Sequence, residues 1–203
     1  MHSSFILLLA TGNAHKAEEF ARLFAEAGLS AEVRTAKSVG GMPPVAETAG
    51  TFAGNARLKA EALRRLAPPA AWVLSDDSGL SCDALGGAPG VDSAVYAGPR
   101  ATDAENRAKL LAALAGVPPS RRGARFTCHL VLLGPAGEDL EFTGHCPGTI
   151  LEAERGEGGF GYDALFVPEG RDRSFAELPA ADKDALSHRA RAFAALAVWR
   201  RLG

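Results

Sequence analysis

Two adjacent carboxylates are the first feature of this sequence whose residue types could do chemistry. Asp76 and Asp77 end the apolar run "WVLS" (residues 72–75) and are followed by Ser78 and Gly79. Like charges this close repel each other, and each loses hydration energy near a core, so the pair predicts a cation beside a buried strand. The alternative is an ordinary turn, because Asp, Ser and Gly are common turn residues.

A candidate anion site lies in "ATGNAHK" (residues 10–16), between an apolar segment and a predicted helix. Thr11, Gly12 and Asn13 occupy the helix start, where free backbone N–H groups and the helix dipole attract negative charge. Lys16 falls in the first helical turn and can reach the same anion. The segment does not match the Walker pattern, so a plain strand-to-helix turn is the alternative.

Further charged residues lie around the segment "TFAGNARLKAEAL" (residues 51–63). Asn55 and Lys59 are four residues apart and share one helix face, which taken alone favours a solvated surface. Glu47 lies in the preceding loop. Mg²⁺ prefers oxygen ligands, usually one or two carboxylates with phosphate oxygens and water. Three carboxylates, two lysines and an anion-binding helix start therefore predict a site for a magnesium nucleotide.

A third cluster combines aromatic and basic residues. "GEGGFGYDALF" (residues 156–166) places Phe160 and Tyr162 in a glycine-rich loop, where an exposed ring could stack on a nucleobase. The alternative is a hydrophobic plug beneath the loop. "ADKDALSHRARAF" (residues 181–193) adds Lys183, His188 and Arg189, all able to donate hydrogen bonds.

The elements that must position these residues alternate along the chain. Predicted strands cover residues 5–10, 31–36, 72–75, 124–133, 139–151 and 164–168. One predicted helix ends at Gly28, and a second runs from about Thr51 to Pro68. A third opens at the capping box Thr102–Glu105 and closes at Gly116. The last runs from His188 to Leu202, with Ser187 as its cap. Strands and helices interleave early, whereas strands pair locally later, which predicts an α/β or α+β fold with a mixed sheet.

Composition narrows the class of protein. The 203 residues suit one domain over residues 1–203, and a net charge of −2 argues against a broad nucleic-acid-binding face. "FILLLA" (residues 5–10) is too short for a membrane span and lacks the basic flank of a signal peptide, so we expect a cytoplasmic protein. Cys82, Cys128 and Cys146 form no C-x-x-C pair and are expected to be buried free thiols.

Five segments taken together resemble the successive signatures of the inosine triphosphate pyrophosphatases, also called non-canonical purine nucleoside triphosphate pyrophosphatases. The resemblance runs in order from about residue 5 to residue 200. The segments are "TGNAHK", "ETAGTFAGNARLKA", "SDDSGLSCDALGGAPGVDSA", "GGFGYD" and "DKDALSHRA".

The resemblance implies Mg²⁺-dependent hydrolysis of ITP, dITP or XTP to the nucleoside monophosphate and pyrophosphate. It also implies a homodimer. The implied fold is an elongated mixed β-sheet with flanking helices that form two lobes around a central cleft.

Residue roles follow from the matched motifs. Asp77 matches the general base, Glu47 and Asp77 match metal-binding acids, and we expect Asp76 to support the same ion. Positions assigned to substrate binding are Thr11, Gly12, Asn13, Ala14, His15, Lys16, Asn55, Lys59, Ser78, Phe160, Gly161, Tyr162, Asp163, Lys183, His188 and Arg189. Within this set, residues 11–16 match the triphosphate loop, whereas Phe160–Asp163, His188 and Arg189 match the purine pocket.

The sequence departs from the family pattern at two positions. Asp92 stands where the family usually has an aromatic residue, and Val95 where it has a basic one. The missing positive charge affects a phosphate or dimer contact, unless Arg100 or Arg57 compensates for it.

Two rival functions follow from the same residues. A non-catalytic nucleotide sensor would keep the pocket, but the three retained acids speak against it. A pyrophosphatase for pyrimidine substrates would lack the "FGYD" and "SHR" segments. Pyrophosphate release from ITP, dTTP and dATP separates these alternatives.

Overall fold

The computed structural model describes residues 5–202 and has a mixed α/β architecture. Within those residues the strands are β1 (Phe5–Ala10), β2 (Ala31–Thr35), β3 (Trp72–Cys82), β4 (Gly123–Leu133), β5 (Asp139–Ile150) and β6 (Phe166–Pro168). The α-helices are α1 (Ala14–Glu26), α2 (Phe52–Arg64), α3 (Asp103–Ala113), α4 (Ala180–Leu186) and α5 (His188–Leu202). Short 3₁₀ turns connect several of them, including one over Gly90–Val95.

The strands form one sheet in the order β2-β1-β3-β4-β5-β6. β1 is parallel to both of its neighbours, with Leu9 opposite Thr35 of β2 and Leu74 of β3. β6 is antiparallel to β5. Parallel neighbours need crossover connections, which α1 and α2 provide, whereas β4 and β5 are adjacent in both sequence and sheet. The predicted mixed sheet is confirmed.

The chain divides into two compact units. Among the described residues, unit 1 contains residues 5–77, 129–143 and 192–202. Its core combines apolar residues of β1 and β3 with Ala56, Ala60 and Leu63 on one face of α2. The two alanines leave room for that helix to approach the strands closely.

Unit 2 contains residues 78–128 and 144–191. Its core is richer in large side chains, and Phe126, Phe166 and Phe175 pack their rings against one another. Cys82, Cys128 and Cys146 are free and buried, as predicted.

The helix ends follow the predicted signals. Asn13 caps α1 and Thr51 caps α2, and Thr102 and Glu105 form the predicted capping box of α3. The hydroxyl of Ser187 accepts a hydrogen bond from the Ala190 amide at the start of α5. Among the described residues, no helix has both the length and the apolar character that crossing a membrane requires.

Two details of the predicted elements are wrong. The strand predicted at residues 72–75 continues to Cys82, so Asp76 and Asp77 lie inside β3 rather than at its end. Burial of Leu80 and Cys82 in the core of unit 2 outweighs the turn tendency of Ser78 and Gly79. The second error is the absence of α4 from the prediction, because seven residues are too few to show a helical period.

Candidate active site

Each of the two adjacent aspartates of β3 is paired with a lysine from a different helix of unit 1. The Lys16 ammonium lies 2.7 Å from a carboxylate oxygen of Asp76, and the Lys59 ammonium lies 2.7 Å from Asp77. Lys16 comes from the first turn of α1 and Lys59 from the middle of α2. Both aspartates are buried, so the ammonium groups supply the charge compensation that the sequence predicted.

Glu47 adds a third carboxylate, and its Oε2 lies 3.5 Å from the Lys59 ammonium. We refer to Lys16, Glu47, Lys59, Asp76 and Asp77 as the carboxylate–lysine cluster. The cluster has three acids and two bases, so it carries an excess of negative charge when every group is ionised.

Burial and neighbouring charges shift the pKa values of two members of the cluster. Burial raises the pKa of Asp77 above its ordinary value, and the nearby charge of Lys59 offsets this only in part. Burial alone would lower the pKa of Lys59, but the charges of Asp76 and Asp77 outweigh it, and the pKa is raised. Both shifts favour the protonated form, for different reasons: burial dominates at Asp77 and the neighbouring carboxylates dominate at Lys59.

Asn55 connects the parts of this cluster. Its side-chain oxygen accepts a hydrogen bond from the Ala49 amide at 3.1 Å, and its side-chain nitrogen lies 3.4 Å from Asp77 Oδ2. A Cβ at Gly54 would collide with Ala49, so the glycine lets the loop of Glu47 approach α2. Asn55 is buried, and the solvated face that was the alternative for Asn55 and Lys59 is not observed.

The chemistry of the cluster suits a divalent cation. Asp76, Asp77 and Glu47 present carboxylate oxygens, the ligand type that Mg²⁺ prefers. The same carboxylates already lie beside two positive charges, the ammonium groups of the cluster lysines. Within residues 5–202, no three acidic, histidine or cysteine side chains converge as a ready-made metal cage.

The start of α1 is exposed and partly satisfied by its own side chains. The Asn13 amide donates to Thr11 Oγ1, and the Lys16 amide donates to the side-chain oxygen of Asn13. Gly12, Ala14 and His15 are also exposed. An anion at this helix start would therefore have to compete with the cap formed by Asn13.

A second cluster forms in unit 2 around the glycine-rich loop, residues 158–163. The Phe160 amide donates to Asp163 Oδ2 at 2.8 Å, and the Lys183 ammonium lies 2.7 Å from the same oxygen. The Lys183 ammonium also lies 4.6 Å from the centre of the Phe160 ring. Gly159 has φ +72°, and a Cβ there would collide with Asp163. The loop is thus closed on itself by one carboxylate.

Arg189 lies beside this loop. Its guanidinium donates to Ser78 Oγ at 3.2 Å and lies 6.0 Å from the centre of the Phe160 ring. The neighbouring His188 stacks on Phe126, with ring centroids 4.8 Å apart and planes 11° apart. Both residues belong to the first turn of α5, and both are buried. We refer to Ser78, Phe160, Asp163, Lys183, His188 and Arg189 as the arginine–aromatic cluster.

Tyr162 differs from its neighbours in the loop. Its ring packs in the core of unit 2, its hydroxyl donates to the Ser93 carbonyl at 2.9 Å, and burial raises its pKa. These contacts match the hydrophobic plug that was the alternative for this part of the loop. Tyr162 therefore anchors the loop, whereas the half-buried Phe160 ring is the one beside charged groups.

Comparisons with known proteins show the family of the chain. The Ham1 family model matches residues 7–199 of the chain. The chain belongs to the Ham1 family. It is 54% identical over 199 residues to a protein of Opitutus terrae named dITP/XTP pyrophosphatase, covering 96% of this chain and 98% of that protein. A Geobacillus kaustophilus protein of the same name is 50% identical over 191 residues, 94% of this chain and 91% of that protein.

Solved structures of the Ham1 family have the same fold. The Ham1 protein of Coxiella burnetii superposes with a TM-score of 0.87 and 35% identity, covering 98% of this chain and 100% of that one. The Staphylococcus aureus Ham1 protein gives a TM-score of 0.84 and 34% identity, covering 97% and 98%. The predicted family and fold class are confirmed.

The two departures noted in the sequence lie outside both clusters of this Ham1 protein. Val95 follows Asp92 in the 3₁₀ turn over residues 90–95, and its side chain is 45% exposed. Arg57 is already bound to Asp139 and Glu141 through three hydrogen bonds. It is therefore poorly suited to replace the basic residue that the family usually has at position 95, whereas Arg100 is exposed.

One pair of residues around the glycine-rich loop was not predicted from the sequence. Asp103 and Arg107 of α3 both hydrogen-bond to the backbone of Gly161. The signal in the sequence was their spacing of four residues, which places both on one helix face.

Proposed function

We propose that this Ham1 protein hydrolyses non-canonical purine nucleoside triphosphates, namely ITP, dITP and XTP, to the monophosphate and pyrophosphate with the help of Mg²⁺. Relatives at 54% and 50% identity bear the name dITP/XTP pyrophosphatase. The observation that supports the proposal most is the pair of buried aspartates, each held 2.7 Å from a separate lysine. Such a cluster suits a substrate that brings both a cation and negative phosphates.

We assign binding of the triphosphate and of the metal to the carboxylate–lysine cluster. Glu47, Asp76 and Asp77 would hold Mg²⁺, which when bound supplies charge neutralisation for phosphoryl oxygens. Lys16 and Lys59 would then exchange carboxylate partners for phosphate oxygens, together with the backbone of residues 11–15. The exchange keeps each ammonium group paired, so the lysines are not left buried without a counter-charge.

In the proposed reaction, Asp77 accepts one proton. A water oxygen attacks the α-phosphorus, the bond from that phosphorus to the bridging oxygen of pyrophosphate breaks, and the water proton passes to the Asp77 carboxylate. A base needs a pKa closer to neutrality than that of an exposed aspartate, and burial raises the pKa of Asp77 in that direction. Asn55 would keep this carboxylate oriented through its hydrogen bond.

We assign recognition of the purine base to the arginine–aromatic cluster. Inosine and xanthine carry an acceptor oxygen at purine position 6, whereas adenine carries a donor amino group there. Arg189 is always a donor, so adenine would place donor against donor in a desolvated site. A site built around such a hydrogen bond can reject the mismatched base by ~10⁴-fold or more, since buried polar groups are left unpaired.

The decisive experiment measures pyrophosphate release from ITP, dATP and dTTP with and without Mg²⁺. The proposal requires Mg²⁺-dependent release that is fastest with ITP. Faster turnover of dTTP would favour a pyrimidine pyrophosphatase, and tight ITP binding without release would favour a nucleotide sensor.

We also propose a cytoplasmic homodimer. This rests on the resemblance to inosine triphosphate pyrophosphatases, in which that assembly is typical. Light scattering of the purified protein at micromolar concentration tests it, and a monomer mass would contradict it.

A further inference from the structure

Two side chains of helix α3 hydrogen-bond to the backbone of one residue in the glycine-rich loop, Gly161. The Gly161 amide donates a hydrogen bond to Asp103 Oδ2 at 2.6 Å. The Gly161 carbonyl accepts a hydrogen bond from Arg107 Nη1 at 2.9 Å. Asp103 and Arg107 are four residues apart, so both lie on one face of α3.

These two bonds fix both peptide planes that flank the Gly161 Cα. The amide belongs to the peptide joining Phe160 to Gly161, and the carbonyl belongs to the peptide joining Gly161 to Tyr162. Gly161 has φ +60°, a conformation that glycine adopts without strain and that an unrestrained glycine would leave easily. The two charged side chains thus restrict the backbone conformational freedom that the glycine introduces.

Gly161 lies between two residues that are held in place. Phe160 precedes it, and its amide donates a hydrogen bond to Asp163. Tyr162 follows it and is anchored by the hydrogen bond from its hydroxyl to the Ser93 carbonyl. The bonds from Asp103 and Arg107 hold the Gly161 backbone between these two anchors.

We propose that Asp103 and Arg107 are positioning residues that set base selectivity by fixing the Gly161 backbone, and hence the Phe160 ring. The inference rests on the proposed function of the arginine–aromatic cluster. Neither residue needs to touch the nucleotide. Because the two contacts act on the loop alone, their loss should change the discrimination between bases and the KM for ITP, and leave kcat for ITP nearly unchanged.

Asp103→Ala and Arg107→Met each remove one bond to Gly161. We expect each to raise the KM for ITP and to lower the ITP:ATP ratio of kcat/KM by about ten-fold, since small misplacements of a binding group cost this much or more. Asp103→Asn keeps an acceptor oxygen and Arg107→Lys keeps a donor, so both should recover most of the ratio. Glu154→Gln is the matched control, because Glu154 pairs with Arg107 Nε at 3.0 Å, whereas the bond to Gly161 comes from Arg107 Nη1.

Hydrogen–deuterium exchange of residues 156–164 provides a readout that does not depend on activity. It should rise in Asp103→Ala and Arg107→Met, and stay at the wild-type level in Glu154→Gln. A wild-type protein without ITP hydrolysis would overturn the proposed function and this inference with it. If the wild type hydrolyses ITP and exchange rises in the variants, an unchanged ITP:ATP ratio overturns this inference alone. An equal fall of kcat for both nucleotides also overturns it, because that result indicates a general structural role.

Discussion

The two clusters hold their charged groups in different ways. In unit 1, Lys16, Lys59, Asp76 and Asp77 come from the regular elements α1, α2 and β3, and they are paired with each other. In unit 2, Phe160 lies in a loop without regular structure, which is held by hydrogen bonds from Asp163 and α3. The first arrangement is held by ion pairs between side chains, whereas the second is held by hydrogen bonds to a loop backbone.

If the proposed function is correct, the two clusters should respond differently to mutation. Removal of a charge from the carboxylate–lysine cluster should affect every nucleoside triphosphate, because phosphate and metal are common to all of them. Removal of a contact in the arginine–aromatic cluster should instead change the discrimination between purine bases.

Asp77→Asn should lower kcat for pyrophosphate release from ITP by ~10²–10⁴-fold, because loss of a general base typically costs this much. The shape of the side chain is kept, so the far-UV circular dichroism spectrum should not change. Asp139→Asn is the control, since Asp139 is an exposed carboxylate of unit 1 that pairs with Arg57 outside the cluster. Turnover near the wild-type rate at saturating Mg²⁺ would contradict the role of Asp77.

Arg189→Ala should lower kcat/KM for ITP by about 10²-fold and change kcat/KM for ATP far less, so that the preference for ITP collapses. The variant loses a hydrogen-bond donor that only a 6-oxo purine can use. Steady-state kinetics with both nucleotides measure the ratio. Arg191→Ala, at an exposed position of α5, should keep the wild-type ratio.

Arg189 is buried, so its removal also risks the fold. Arg189→Lys keeps the positive charge but loses the planar arrangement of donors, and it should lower the ITP:ATP ratio by a smaller factor. An unchanged ratio in both variants would show that Arg189 does not recognise the base.

Lys16→Ala and Lys59→Ala should lower kcat/KM for ITP and for dATP by the same factor, about ten-fold or more, because a charge-assisted hydrogen bond to phosphate is lost whatever the base. Lys37→Ala removes an exposed lysine of unit 1 and should have no effect on either nucleotide. If either cluster variant changed the two nucleotides by very different factors, that lysine would belong to base recognition, and the division between the clusters would fail.

The smallest expected effect is on stability. Burial raises the pKa of Asp77, so the folded protein binds more protons than the unfolded chain between ~pH 3.9, the ordinary pKa of aspartate, and the raised value. The free energy of unfolding without Mg²⁺ should therefore fall as pH rises through this window. Lys59 adds no slope there, because it stays protonated in both states.

Urea unfolding of wild type and Asp77→Asn from pH 4 to pH 7 measures this contribution. The variant should match the wild type near pH 4 and become more stable than the wild type as pH rises, because it has no buried carboxylate to ionise. Parallel curves would mean that Lys59 compensates the buried carboxylate fully.

Local signals predicted most of the elements. The βαβ pattern of the first 75 residues, the capping box at Thr102 and the hairpin of β4 and β5 each depend on residues close in sequence, and all are observed. The length of β3 and the presence of α4 could not be predicted in this way. The length of β3 depends on the burial of Leu80 and Cys82 against residues distant in sequence. Helix α4, which contains Lys183, is too short to show a periodic pattern.

The family and the residue types of both clusters can be read from the sequence, because five ordered motifs are specific and because adjacent aspartates beside an apolar run demand a cation. Three contacts could be seen only in the folded protein: the pairing of each lysine with its aspartate, the bridge that Asn55 makes from Asp77 to the loop of Glu47, and the anchoring of Tyr162 within the core. The physical reason is that such contacts join residues as far as 69 positions apart, from Ser93 to Tyr162. Their distances depend on how β3, α2 and α3 pack, which no local pattern encodes.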